Sequence, residues 1–175
     1  MDYNKFESLL KKAVKESFST IIKNNNIYSF AIITSEFTDS IIAVANTREY
    51  MKNCKKEYED TPLDCKYLIA EWDYGIETNN KEFENLNEIL FNEIFIEKSK
   101  EEHLSFESKI FEICLNTLRE LRNENFFKNL IKKEIFIMFE SMDGSFSKTK
   151  LKKIVSSLND NKYKKEYFEW LASID

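Results

Sequence analysis

Three features of the sequence predict one α+β domain over residues 1–175, a mainly antiparallel sheet of about four strands packed by five or six helices. Apolar residues recur at helical spacing in several segments, with short β-branched apolar runs between them. The 175 residues are 42% hydrophobic, enough for one sizeable core. Two glycines and one proline leave no linker at which the chain could divide.

Phe6, Leu9, Leu10, Ala13, Val14, Phe18, Ile21 and Ile22 repeat at i, i+3, i+4, i+7, predicting a first helix from Asp2 to Lys23. Asn24-Asn-Asn26 ends it as a loop. Ile27–Thr34 and Ser40–Ala45 are β-branched and apolar, and Glu36–Asp39 joins them as an antiparallel hairpin. Thr47 is a candidate N-cap for a short polar helix to Lys56, and Glu59–Asp64, with Pro62, is a loop. Cys65–Trp72 reads as a third strand, ending before Gly75. Phe83, Leu86, Leu90 and Ile94 stripe a helix from Glu82 to about Lys98. Ser105 is the expected cap of the next helix, which runs to Asn123 through Phe106, Ile110, Ile113, Cys114, Leu118 and Leu121. Phe126 and Phe127 pack a loop. Glu134–Glu140 holds a continuous apolar run, short enough for a buried central strand. Two helices close the chain, Lys148–Leu158 and Lys162–Ser173, the second carrying Tyr163, Tyr167, Trp170 and Leu171 on one face.

Composition removes many functions. Gly75 and Gly144 lie far apart, so neither a phosphate-binding loop nor a dinucleotide fingerprint can be written. The formal charge is −5, and arginine occurs only at positions 48, 119 and 122, against nucleic-acid binding. Lysines are interleaved with glutamates almost everywhere. His103 is the only histidine, and it reads as an exposed connector. One histidine and three scattered cysteines do not make a zinc site. No cofactor or metal is expected, and no catalytic residue is assigned. The N-terminus carries no signal-peptide pattern and no apolar run is long enough to span a membrane, so a cytoplasmic protein with reduced thiols is expected. A Cys54–Cys65 bridge remains possible on spacing alone.

Glu71-Trp-Asp-Tyr-Gly75 is the most unusual short segment. It places acids and large aromatics together, and Glu77 follows closely. Trp72 is either a core residue between solvated acids or, with Tyr74, an aromatic anchor for a basic partner. Phe91 and Phe95 lie off the helix stripe and are candidates for a second buried face or an interface. Asp143-Gly-Ser145 after the last strand is a turn, or else an acid at a strand end.

Tyr28-Ser-Phe-Ala-Ile-Ile33, Ala45-Asn-Thr47, Ala70-Glu-Trp-Asp-Tyr74, Ile135–Phe139 and Lys153–Asn159 together resemble the bacterial domain-of-unknown-function family 4303. That resemblance implies a bacterial α+β protein with accessory or immunity-type work against toxins of competing cells. It carries over no catalytic residue. The leading expectation is a non-enzymatic binding protein that takes a basic toxin or partner on Glu71, Trp72, Asp73, Tyr74 and Glu77. The alternatives are an enzyme using Glu71 and Asp143 as carboxylates, or a structural homo-oligomer.

Overall fold

The computed structural model describes residues 1–23, 26–57, 63–72 and 81–174. The loop expectations over Asn24-Asn-Asn26 and Glu59–Asp64 fall largely outside them, as does the segment around Gly75. The elements run α1 (Tyr3–Ile21), β1 (Ile27–Thr34), β2 (Ile41–Thr47), α2 (Arg48–Glu57), α3 (Asp64–Tyr67), a 3₁₀ turn (Ile69–Glu71), α4 (Lys81–Ile94), α5 (Lys100–Asn123), α6 (Phe126–Ile131), β3 (Phe136–Ser141), α7 (Lys148–Leu158) and α8 (Lys162–Ser173). The α+β class holds.

Its details differ from those predicted. Among the described residues the sheet has three strands in the order β2-β1-β3, and eight α-helices surround it. β1 and β2 pair antiparallel, but β1 and β3 pair parallel, so the sheet is mixed. A parallel pair needs a crossover, and the helices from α2 to α6 supply it. The third strand predicted over Cys65–Trp72 is absent. Its Tyr67 and Ile69 point inward while Leu68 and Ala70 face out, which mimics the period of a strand. The backbone bonds are local instead: Leu68 N–H donates to Asp64 O at 2.8 Å and Trp72 N–H to Ile69 O at 3.1 Å. Phe126-Phe127 opens the helix α6 and is not a loop.

β3 is an edge strand, although its apolar run predicts a central one. Two asparagines resolve the conflict. Ile137 N–H donates to Asn159 Oδ1 at 2.9 Å, and Asn159 Nδ2 donates back to Ile137 O at 2.7 Å. Asn161 Nδ2 donates to Ile135 O at 3.2 Å. The Asn159 amide thus pairs with Ile137 as a neighbouring strand would. It satisfies main-chain groups that could not otherwise be buried at an edge.

Helix starts follow local chemistry. Asp2 caps α1 through Lys5 N–H at 3.1 Å, and Thr47 accepts from Tyr50 N–H at 3.0 Å at the start of α2. α5 begins earlier than Ser105 predicts, because Ser99 and Glu102 form a reciprocal capping box. His103 therefore lies inside a helix and is no connector.

The core fills both faces of the sheet. Phe30 stands opposite Ile137 in register, so it faces away from Phe136. On its side Phe18 packs edge-on to Phe30 and Phe127, with centroids 5.3 and 4.9 Å apart. On the other side Phe136 meets Tyr67 at 5.1 Å and stacks on Tyr167 at 5.4 Å. α4 packs on β2 and α1, whereas α7 packs on β3 and α5. These two helices therefore stand at opposite edges of the sheet.

Cys54 and Cys65 form a disulfide with Cα atoms 6.0 Å apart, tying α2 to α3. The expectation of reduced thiols is corrected here for that pair. Folding α3 back against α2 brings two cysteines, 11 residues apart, within bridging reach. Cys114 is free and buried, and burial pushes its thiol up. Iodoacetamide should therefore label no cysteine of the folded oxidised protein. It should label Cys54 and Cys65 after reduction, and Cys114 only after unfolding, as peptide mass mapping would read. Labelling of Cys65 without reductant would disprove the pairing.

Candidate functional site

The predicted patch divides on inspection. Trp72 is 8% exposed and belongs to the core, which decides between its two readings. Glu71 is half-buried at the end of the 3₁₀ turn. Asp73, Tyr74 and Glu77 lie outside the described residues.

What Trp72 does is structural. Its Nε1–H donates to Lys66 O at 3.2 Å, where Tyr28 O–H also donates at 3.1 Å. Asn46 Nδ2 donates to the adjacent Cys65 O at 2.9 Å. Three side chains from three elements thus satisfy the terminal carbonyls of a four-residue helix, which lack partners inside it. From α8, Glu166 pairs with the Lys66 ammonium, and Trp170 Nε1–H donates to Asp64 Oδ1 at 2.7 Å. Tyr28, Asn46 and Trp72, which mark the family resemblance, are a clamp on α3.

The strand-end acids behave differently from one another. Asp143 is exposed in the turn after β3, where Gly144 takes φ +65°. Ser141 O–H donates to it at 2.5 Å and Ser145 N–H at 3.1 Å, and these bonds hold its carboxyl below the usual range. The turn reading of Asp143-Gly-Ser145 accounts for all of these contacts. Glu140, three residues earlier on β3, is pushed up to about 7 by burial, with the Asp143 charge adding to it. Among the described residues no hydrogen bond or ion pair joins Glu71 to Asp143, and no three metal-binding side chains converge.

Charge is not interleaved throughout the chain, contrary to the local reading of the sequence. Residues 82–97 contain five glutamates and no basic residue, whereas residues 144–159 contain four lysines and no acid. The first window is most of α4 and its C-terminal extension; the second is α7 and its flanks. Acidic and basic poles therefore occupy opposite edges of the sheet.

The acidic pole also carries the exposed aromatics. Phe83, Leu86 and Leu90 bury one stripe of α4. Phe91 lies about 100° further round and Phe95 one turn on. They are 52% and 72% exposed, paired edge-on with centroids 4.6 Å apart, and Ile96 is exposed beside them. Two of the glutamates are engaged: Glu82 pairs with Lys12 at 2.7 Å, and Glu93 with the N-terminal ammonium at 3.3 Å and Lys98 at 3.4 Å. Glu84, Glu88 and Glu97 are exposed.

The β1–β2 turn adjoins this face. Asp39, Ser40, Asn87, Glu88 and Phe91 line one shallow depression, and Ile41 N–H donates to Asn87 Oδ1 at 2.8 Å. Thr38 sits at φ 59°, a left-handed conformation that a β-branched residue seldom adopts. Its side chain is buried and its Oγ1 has no hydrogen-bond partner, while Phe37 beside it faces solvent. Strain held at such a point costs roughly 1–3 kcal/mol and is a recurrent mark of binding surfaces. Phe91 and Phe95 were legible in the sequence as off-stripe; Phe37 and Thr38 were not.

Fold and surface together define an α+β domain with a mixed three-stranded sheet and an acid-rimmed aromatic face. The chain belongs to the domain of unknown function family DUF4303, which matches residues 7–160. No curated protein and no solved structure matches it. No described helix is long and apolar enough to cross a membrane.

Proposed function

We propose that this chain is a non-enzymatic binding protein of the immunity kind, which captures a basic protein partner on the face built by α4 and the β1–β2 turn. One observation carries the reading: Phe91 and Phe95 are exposed within a window of five glutamates and no basic residue. Large aromatics left in water are anchors when a partner pocket desolvates them. Acids around them exclude acidic partners and speed encounter with basic ones, above the neutral range of about 10⁵–10⁶ M⁻¹s⁻¹. The strained Thr38 supports the reading, since it lies in the β1–β2 turn whose Asp39 and Ser40 share a depression with Glu88 and Phe91.

The test is co-purification with the basic product of an adjacent gene, followed by titration of the purified pair. Phe91→Ser with Phe95→Ser should weaken the complex by about 100-fold or more, given that anchor residues each contribute 2 kcal/mol or above. Glu84→Lys with Glu88→Lys should slow association and remove most of its salt dependence. Glu71→Lys with Asp73→Lys should leave binding within about twofold. Loss in that last variant alone would return the interface to the Glu71–Glu77 segment.

A further inference from the structure

The basic pole holds a second feature, unconnected with the α4 face. A groove of about 370 Å³ runs between α5 and α7, with Phe139 of β3 in its lining. That volume lies within the roughly 300–1,000 Å³ of small-molecule sites. Phe111, Leu115, Phe139 and Ile154 make its walls apolar, while Arg119, Lys150 and Lys153 bring cations to it. Among the described residues Glu112 is the one acid in the lining, and Lys109 already pairs with it at 2.8 Å.

Lys150 is the unusual group. Its Nζ lies 3.3 Å from the centroid of Phe146 and 4.4 Å from that of Phe111, so the ammonium rests on two ring faces. Among the described residues no carboxylate forms an ion pair with it. Burial lowers its pKa, and the attraction of Glu107 only partly offsets this. A half-buried cation without a counter-ion is unfavourable unless something supplies the anion. From residue 144 to 159 the chain carries Lys148, Lys150, Lys152 and Lys153 and no acid, so the α7 wall of the groove is uniformly basic.

We infer that this groove binds a free amphiphilic carboxylate of the long-chain fatty-acid class, with its head on Lys150 and its tail along Phe111, Leu115 and Ile154. The geometry favours a single ligand chain over a bilayer surface. The site is concave, and among the described residues none of the large apolar side chains exposed to solvent lines it or lies on α7. An interfacial helix would need such residues facing outward.

The experiment titrates the full chain with dansyl-undecanoate and displaces the probe with oleate. Saturable 1:1 binding in the micromolar range is expected, with displacement by oleate but not by dodecyltrimethylammonium, which has a comparable tail and the opposite charge. Lys150→Met should weaken the probe tenfold or more while its thermal melt stays at or above that of the parent. Ile154→Trp, which fills the groove and keeps Lys150, should also abolish binding. Absence of saturable binding would overturn the inference, as would undiminished binding by both variants or equal displacement by the cationic amphiphile. Capture by phosphatidylglycerol vesicles without any binding of monomeric probe would also overturn it, giving the basic face to a membrane.

Discussion

Asn159→Ala should lower the unfolding free energy by about 4 kcal/mol and the melting temperature by roughly 10 °C. Asn159 is 1% exposed, and its amide serves both main-chain groups of Ile137, accepting at 2.9 Å and donating at 2.7 Å. It also donates to Val155 O at 3.3 Å near the end of α7. Alanine would orphan a buried N–H and a buried carbonyl, each costing about 1–3 kcal/mol, and leave a small cavity. Asn159→Asp separates the two halves of the effect, since it keeps the acceptor and removes the donor. It should be at least as damaging, because it aims a charge at Ile137 O. Amide exchange at Ile137 would accelerate in both variants. A melting temperature within 2 °C of the parent would show that Asn161, bonded to Ile135 O at 3.2 Å, closes the edge unaided.

That edge also explains what the sequence concealed. Glu134–Glu140 reads as a central strand because of its continuous apolar run, and Ile135–Phe139 are indeed buried on both faces. Burial is produced by helices and two asparagines, however, and a single sequence does not say which side chain will stand in for a strand. β3 pairs parallel with β1 although about 100 residues separate them in sequence, a distance over which local patterning carries no register. Local patterns were sufficient where an element answers only to itself. α7 and α8 fall on the residues that their stripes predict, and the Ile27–Thr34 strand does the same. Cys65–Trp72 misled because a helical turn joined to a 3₁₀ turn reproduces alternation over four residues.

The candidate surface was half visible for a related reason. Phe91 and Phe95 betray themselves by lying off the stripe of Leu86 and Leu90, which is a property of one helix. The charge asymmetry was also present in the sequence, but its meaning depends on α4 and α7 packing on opposite edges of the sheet. Thr38 has no sequence signature, since threonine is ordinary in turns and only its φ of 59° marks it. Trp72 was the reverse case. An aromatic flanked by acids suggests an anchor, yet its indole N–H is committed to Lys66 O at 3.2 Å.

Glu140→Gln should stabilise the protein at pH 8 by about 2–3 kcal/mol and raise its melting temperature by roughly 5–10 °C. Burial beside Asp143 lifts the Glu140 carboxyl to about 7, from an ordinary value of 4.5 in the unfolded chain. Between those values the folded protein retains a proton that the unfolded chain has released. Stability attributable to this group is therefore present below pH 4.5 and is lost as pH rises to about 7, after which the penalty stays constant. Glutamine is isosteric with the protonated acid and never ionises, so parent and variant should converge at pH 4 and separate progressively above it. Asp143→Asn should recover a smaller part of the same gain, since the Asp143 charge is the lesser of the two causes. Melting curves from pH 4 to 8 decide the matter: a gap between parent and Glu140→Gln that does not change with pH would assign the effect to packing and exclude titration of Glu140.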